Sequence, residues 1–146
     1  MGCKFCAISQ GSEAASIVYE DEFVMAFMSP QPARPGECLI IPRKHVDHFT
    51  DLDDQMASRI MVLAQRIGRK MREEFRPERI GMVVHGFGVP HAHLIVVPQY
   101  DLNDITSARF ASVEGGNVVF DLRKTPEVER AVLDAQAARL KLVPEA

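Results

Sequence analysis

The 146-residue sequence contains no tryptophan, only two tyrosines and only three cysteines. Three cysteines are too few for the disulfide framework of a small secreted protein, so we expect reduced thiols or metal ligands. The sequence also lacks an apolar run near the ~20 residues that a membrane-spanning helix requires. Its first residues show no apolar core of a secretion signal. These absences predict a cytoplasmic protein that does not associate with membranes.

Neither sign of charge is in large excess. Lysine and arginine number 17, aspartate and glutamate number 20, and the formal net charge is −3. A mildly acidic chain has no electrostatic reason to bind nucleic acid. Hydrophobic residues make up 47% and charged residues 25% of the sequence, as in ordinary globular proteins. The length therefore indicates one globular domain.

The pattern of apolar residues predicts a mixed fold. Apolar side chains at positions 52–75 recur every three or four residues, which predicts one long amphipathic helix that ends before Pro77. Thr125 and Pro126 resemble the start of a closing helix that runs to about Leu142. Short β-type runs bounded by turn residues are found at positions 17–19, 23–27, 38–41, 80–85 and 91–97. We therefore expect an α+β fold with a five-stranded, mostly antiparallel sheet, one long helix and a C-terminal helix.

His91 and His93 form the first candidate site. Alternate side chains of a strand lie on one face, so both imidazoles could act on one substrate or metal ion. The alternative is that both lie on a solvated surface strand. The preceding residues 86–90 favour a site, because their glycines let backbone N–H groups approach an anion closely.

Cys3 and Cys6 form the second candidate site. Two thiolates at this spacing can share one tetrahedral zinc ion, and histidines at positions 45, 48, 85 and 91 can complete its ligands. The spacing alone leaves three interpretations open: a zinc site, a redox-active pair, or two small buried side chains.

Together these motifs resemble the histidine triad (HIT) superfamily. The resemblance lies in the Cys3 and Cys6 pair and in the segments 18–22, 26–27, 39–45 and 89–93. It assigns residues 1–105 to a HIT-like domain and residues 106–146 to a C-terminal extension packed on the same domain. The resemblance implies an α+β protein that hydrolyses or transfers nucleotidyl groups through a covalent nucleotidyl-histidine.

The resemblance also implies roles for individual residues. His93 takes the place of the histidine that attacks phosphorus, which a neutral imidazole can do when an acceptor holds its other nitrogen. The implied ligands of a structural zinc ion are Cys3, Cys6, His45 and His91. The residues expected to contact a nucleotide or another phosphate compound are Phe27, Ser29, His85, Gly88 and Val89.

Several positions depart from the family pattern. Ile95 stands at the third triad position and cannot protonate a leaving group. Ser29 stands where relatives place an aspartate on the ribose hydroxyls, and Glu37 stands where they have a histidine. A carboxylate at position 37 disfavours a nearby phosphate unless it points away, whereas His85 could supply a lost donor. These departures keep two further hypotheses open: a phosphate-binding module without turnover, and a zinc-dependent interaction domain.

The resemblance further implies a homodimer. Family members commonly pair through the long helix and the edge of the sheet. In this chain Met56, Met61 and Met71 could supply adaptable apolar surface for that contact. The alternative is that these methionines belong to the core.

Overall fold

The computed structural model describes residues 2–105, 110–121 and 124–145. Within these ranges the helices are α1 (Lys4–Ser9), α2 (Asp54–Phe75) and α3 (Arg130–Leu140). The strands are β1 (Ile17–Glu20), β2 (Val24–Met28), β3 (Cys38–Pro42), β4 (Arg79–Val83), β5 (Leu94–Gln99), β6 (Ala111–Glu114) and β7 (Asn117–Phe120).

Strands β1 to β5 form one antiparallel sheet in the order β1-β2-β3-β5-β4. The predicted α+β fold with a five-stranded sheet is thereby confirmed. β6 and β7 form a separate hairpin. In the central strands Phe27 lies opposite Leu39, and Leu39 lies opposite Ile95. Because alternate residues of a strand share a face, these three side chains lie on the same face of the sheet.

Helices α2 and α3 cover the other face of the sheet. Their apolar side chains join those of β1, β2, β3 and β5 in the main core. The C-terminal helix therefore belongs to the same core as the long helix. The buried core residues of the two helices include Ile60, Ala64, Ile67 and Met71 of α2 and Leu133, Ala137 and Leu140 of α3.

The long helix begins and ends where the sequence indicates. The Asp53 side chain accepts a hydrogen bond from the Met56 backbone N–H at 2.7 Å and caps the first turn. Arg76, with φ of 50°, terminates the helix in the left-handed conformation, and Pro77 follows it. Among the described residues, none of the helices combines the length and apolar character that crossing a bilayer requires.

Helix α1 lies on the opposite face of the sheet from α2. Its Phe5 and Ile8 pack with Phe27, Leu39 and Ile41 in a second apolar cluster. The sequence did not predict this helix, because six residues are too few to display a helical period.

The strand β5 begins at Leu94, which is later than the predicted start at His91. The His91 N–H donates to the Val89 carbonyl at 2.8 Å, and the Ala92 N–H donates to the Val46 carbonyl at 2.7 Å. These bonds hold both residues in a loop rather than in the ladder with β3. The expectation that His91 and His93 lie within a strand is therefore wrong.

The closing helix also begins later than predicted, at Arg130 instead of Thr125. The residues before it are extended along the loop that follows β2. Gln31 Nε2 donates to the Thr125 carbonyl at 3.2 Å, and the Val128 N–H donates to the Pro30 carbonyl at 2.9 Å. These contacts compete with a helical turn, so Thr125 is not a helix cap.

Candidate active site and metal centre

The face of the sheet that carries α1 also carries a cavity of about 760 Å³. This volume is typical of sites for small molecules. Apolar side chains of the central strands form its base, and helix α1, the loop after β4 and the segment before α3 surround it. Representative lining residues are Phe5, Phe27, Leu39, Val89, Ile95 and Val128.

His93 lines this cavity and is 8% exposed. Its Nδ1 atom lies 2.7 Å from the backbone carbonyl oxygen of His91. A carbonyl oxygen can only accept, so Nδ1 carries the hydrogen and donates it. Nε2 is then the nitrogen that keeps a lone pair, as a nucleophilic imidazole requires.

His91 is fully buried, which rules out a solvated surface position. Its Nε2 lies 2.8 Å from the Pro42 carbonyl oxygen and donates to it. Nδ1 therefore presents its lone pair on the other side of the ring. Burial lowers the pKa of His91 and favours the neutral imidazole, which is the form that binds metals.

Nδ1 of His91 lies in a cluster with the three other predicted zinc ligands. It is 3.4 Å from Cys3 Sγ, 3.6 Å from Cys6 Sγ and 3.3 Å from His45 Nδ1. Cys6 Sγ and His45 Nδ1 are 3.4 Å apart, and all four atoms lie within 4.8 Å of one another. The zinc–sulfur and zinc–nitrogen bonds of a tetrahedral site, about 2.3 and 2.0 Å, separate the ligand atoms by about 3.3 to 3.8 Å. The donor set and its spacing therefore fit zinc.

The electrostatics of the two thiols also fit a cation at this position. Burial and the neighbouring Cys3 raise the pKa of Cys6. A divalent cation reverses this effect because it stabilises the thiolates. His48 does not take part: its side chain is 72% exposed and lies 3.9 Å from the Asp47 carboxylate.

The structure places all five predicted substrate contacts on the cavity that His93 lines. Phe27 belongs to the base, and Ser29 follows it at the end of β2. His85 is exposed, and its ring centroid lies 6.1 Å from that of Phe87. Gly88 has φ of 103°, a conformation that a residue with a side chain rarely adopts. A binding role for these residues, including Val89, stays a prediction.

Sequence reasoning identified Glu37 as a departure from the family pattern but did not assign it to the cavity. The Glu37 carboxylate points into the cavity and is 6% exposed. Its Oε1 accepts from the Ala33 N–H at 3.3 Å, and the Ser29 hydroxyl also donates to it. Burial raises the pKa of Glu37 to about 7. Glu37 directly precedes β3, and the alternation of side chains in extended backbone, which places Glu37 on the face of Leu39, could have indicated this position.

Thr125 is a second missed residue of the cavity. It is 4% exposed, and its Oγ1 atom has no hydrogen-bond partner within the described part of the chain. Its position depends on contacts with the loop after β2, which is distant in sequence. No local pattern in the sequence reports such a contact.

Comparison with known proteins places this geometry in a family. The profile of the HIT domain matches residues 10–102. The chain belongs to the HIT family. Protein hit of Bacillus subtilis (strain 168) is 31% identical over 107 residues, which cover 70% of this chain and 74% of that protein.

Two solved structures extend the comparison. A ZN-bound histidine triad family protein from Mycobacterium smegmatis superposes with a TM-score of 0.69 at 26% identity, over 96% of each chain. A HIT family hydrolase from Legionella pneumophila Philadelphia 1 superposes with a TM-score of 0.55 at 30% identity, over 65% of this chain and 90% of that chain. The similarity to the mycobacterial HIT protein includes the C-terminal third of this chain.

We predict that Glu37→Gln stabilises this HIT protein at high pH. The pKa of Glu37 lies above its ordinary value of 4.5, so the folded protein holds the proton more tightly. Its contribution to stability is complete below about pH 4.5 and is lost as the pH rises through about 7. The loss is on the order of 3 kcal/mol. Glutamine keeps the acceptor for Ala33 and has no charge to bury.

The measurement is urea denaturation of both proteins near pH 5.5 and pH 8.5. We expect the stability advantage of Glu37→Gln to be larger at the higher pH. Glu127→Gln, which removes an exposed carboxylate from the same cavity, should show no such change. An advantage of Glu37→Gln that is equal at the two pH values would contradict the raised pKa.

Proposed function

We propose that this HIT protein hydrolyses a nucleotide phosphoramidate or a dinucleotide, or transfers its nucleotidyl group, with His93 as the nucleophile. The observation that supports this most strongly is the hydrogen bond from His93 Nδ1 to the His91 carbonyl, 2.7 Å long. It leaves Nε2 as the free nitrogen of a side chain that lines a cavity of ligand size. The Legionella pneumophila neighbour, named a hydrolase, supports the general class.

The reaction would take place in two displacements. Nε2 of His93 attacks the phosphorus that carries the nucleoside, and a P–N bond forms while the bond to the leaving group breaks. The leaving group departs with the electron pair and takes up a proton. The His91 carbonyl stabilises the positive charge that develops on the imidazole, because it accepts from Nδ1–H. Water then attacks phosphorus, breaks the P–N bond and releases the nucleoside monophosphate; another acceptor in place of water gives transfer.

The leaving group receives little help from the base of the cavity. Ile95 lies on the same face as His93 and has no proton to donate. Besides His93, His85 is the imidazole among the described lining residues that could reach a leaving group. We therefore expect the fastest turnover with leaving groups that are already acidic.

We predict that wild-type protein releases adenosine monophosphate from adenosine 5′-phosphoramidate and that His93→Ala does not. Loss of the attacking nitrogen should lower kcat by more than about 10³-fold. Product formation is followed by chromatography, and the covalent nucleotidyl adduct is measured by mass spectrometry of acid-quenched protein. His48→Ala is the matched control, because it removes an exposed imidazole outside the cavity and the Cys and His cluster and should still form the adduct.

Formation of the adduct by His93→Ala would contradict the assignment of the nucleophile. Binding without turnover is the second candidate function, and the loss of a proton donor at Ile95 favours it. It would be supported if adenosine monophosphate raises the Tm of wild-type protein while no product and no adduct form.

We also propose that Cys3, Cys6, His45 and His91 hold a structural zinc ion. The ligand spacing described above supports this, as does the ZN-bound mycobacterial neighbour. The four residues come from the start of α1, the segment after β3 and the loop before β5. When bound, the ion would cross-link these three segments and add to the folding free energy.

We predict one zinc per chain in protein purified without added metal. Cys6→Ser should lose the metal and melt several degrees lower, because the ion no longer stabilises the folded state. Elemental analysis and thermal melting measure the two effects. Cys38→Ala is the control: Cys38 is buried in the main core, outside the cluster, so this variant should melt lower and keep its zinc. Substoichiometric metal that Cys6→Ser leaves unchanged would contradict the site.

We propose, finally, that the protein is a homodimer. Strand β4 is at the edge of the sheet, and α2 exposes Val62 by 55% and Met61 by 44%. Of the three methionines expected at the contact, Met71 is fully buried in the core, and Met56 packs partly against it. On α2, the exposed apolar side chains available for the dimer contact are thus Met61 and Val62.

We predict a mass in light scattering near twice the 16.3 kDa of one chain at micromolar concentration. Val62→Glu should shift the protein to the monomer mass, because a charge placed in an apolar contact must be desolvated. Val132→Glu alters an exposed valine of α3 and should leave the mass unchanged. A wild-type mass of one chain would refute the dimer.

A further inference from the structure

Glu37 is a buried carboxylic acid on the cavity that carries His93. Its side chain is 6% exposed and lines the same cavity as His93 and Ile95. Burial of a charged carboxylate costs free energy, and folded proteins ordinarily pair such a group with a cation. In the described part of the chain no positively charged side chain contributes to the environment of Glu37. A carboxyl group buried on a cavity without a cationic partner is a candidate for proton transfer.

The strand register places Glu37 and His93 on opposite sides of Ile95. Leu39 of β3 pairs with Ile95 of β5, and the two strands are antiparallel. Glu37 precedes Leu39 by two residues, and His93 precedes Ile95 by two residues. Each of the two polar residues therefore lies about 7 Å along the sheet from the Leu39–Ile95 pair, in opposite directions.

This arrangement suits a displacement at a phosphorus that lies above Ile95. The nucleophile and the leaving group occupy opposite sides of phosphorus in an in-line displacement. With about 3 Å from the attacking nitrogen to phosphorus and about 3 Å from the leaving atom to a proton donor, nucleophile and donor are on the order of 8 Å apart. Side chains that lean inward from backbone positions about 13 Å apart can reach this separation. Glu37 is thus placed to give the proton that Ile95 does not have.

Glu37 holds a proton near neutral pH. Burial raises the pKa of Glu37 to about 7. The negative charge of a bound phosphate raises this pKa further, because it disfavours a second negative charge nearby. Oε1 accepts a hydrogen bond from the Ala33 N–H at 3.3 Å, which favours the proton on Oε2. The neutral acid also removes the repulsion that a carboxylate would exert on the phosphate.

The charged groups around Glu37 do not neutralise it. Arg34, three residues earlier, donates to Asp101 and Asp104. The Cys38 thiol belongs to the main core on the other face of the sheet. Six other titratable side chains line the cavity without contributing to the pKa of Glu37: Lys4, Glu13, His85, His93, Glu127 and Arg130. Burial therefore dominates the protonation of Glu37.

We propose that Glu37 is the general acid of the reaction and protonates the leaving group while Nε2 of His93 attacks phosphorus. The bond from phosphorus to His93 forms, the bond to the leaving group breaks, and the leaving atom keeps the electron pair and takes the proton of Glu37. In the second displacement the Glu37 carboxylate accepts a proton from the attacking water, which restores the acid. This inference rests on the proposed function. It extends the substrates to phosphoramidates of basic amines.

The test compares two substrates that differ in their need for a proton. Adenosine 5′-(N-ethylphosphoramidate) has a basic amine as its leaving group, whereas the leaving group of adenosine 5′-(4-nitrophenyl phosphate) departs without protonation. The rate of adduct formation on His93 in a single turnover near pH 6.5 is followed by mass spectrometry. Glu37→Gln should slow the reaction of the amine substrate by about 10²-fold or more and that of the ester by less than about threefold.

A matched variant and the pH dependence supply the controls. Glu127→Gln removes an exposed carboxylate of the same cavity and should slow neither reaction. In the wild type, the rate with the amine substrate should fall as the pH rises above about 7, because Glu37 loses its proton, whereas the rate with the ester should not. Glu37→Gln should lack this fall. The wild-type profile tests the acid even if the variant does not fold.

The outcomes separate this inference from the proposed function. An equal effect of Glu37→Gln on both substrates, or no effect on either, would overturn the inference. A selective loss in His85→Ala instead would also overturn it, as would a wild-type rate with the amine substrate that does not fall with pH. If wild-type protein still forms the adduct with the ester in these cases, only this inference fails. If it forms no adduct with either compound, the proposed function fails as well.

Discussion

The site depends on one short chain of hydrogen bonds through His91. The ring of His91 donates from Nε2 to the Pro42 carbonyl, and its backbone carbonyl accepts from Nδ1 of His93. The first bond directs the lone pair of His91 toward the cysteines, and the second directs the lone pair of His93 away from the backbone. One buried residue therefore sets the tautomer of both imidazoles. A substitution at His91 would remove a ligand of the candidate metal centre, and it would affect the candidate nucleophile if it moved the backbone carbonyl.

The fold explains how His91 and His93, which are separated by one residue, lie in different environments. Helix α1 places Phe5 against both rings, with centroid distances of 5.8 Å to His91 and 5.3 Å to His93. Cys3 is the N-cap of the same helix and Cys6 lies in its first turn, so the thiols lie beside His91 while the cavity opens beside His93. A zinc ion bound at the first histidine would thus make the loop that carries the second more rigid. The zinc ion would then contribute to the chemistry by holding His93 in position.

Much of the fold could be predicted from the sequence, because the patterns that indicate its helices and strands lie within short segments. The three- and four-residue period of α2 and the turn residues between strands predicted the long helix and the sheet. The four clustered Cys and His residues were predicted through family resemblance, since their order matches although three segments supply them. Helix α1 was missed because it is short, and the loop at His91 because Ala92 bonds to Val46 instead of β3. The sequence alone does not assign Glu37 and Thr125 to the cavity, because the segments that bring them together are distant in sequence.

The tautomer of His93 is the most direct test of the central claim. Long-range proton–nitrogen NMR on ¹⁵N-histidine-labelled protein near pH 8 distinguishes the protonated ring nitrogen from the bare one. We predict that His93 carries its proton on Nδ1 and shows an unprotonated Nε2, with the resonances assigned by comparison with His93→Ala. A proton on Nε2 would mean that the bond to the His91 carbonyl does not form, and it would contradict His93 as a nucleophile prepared by the fold.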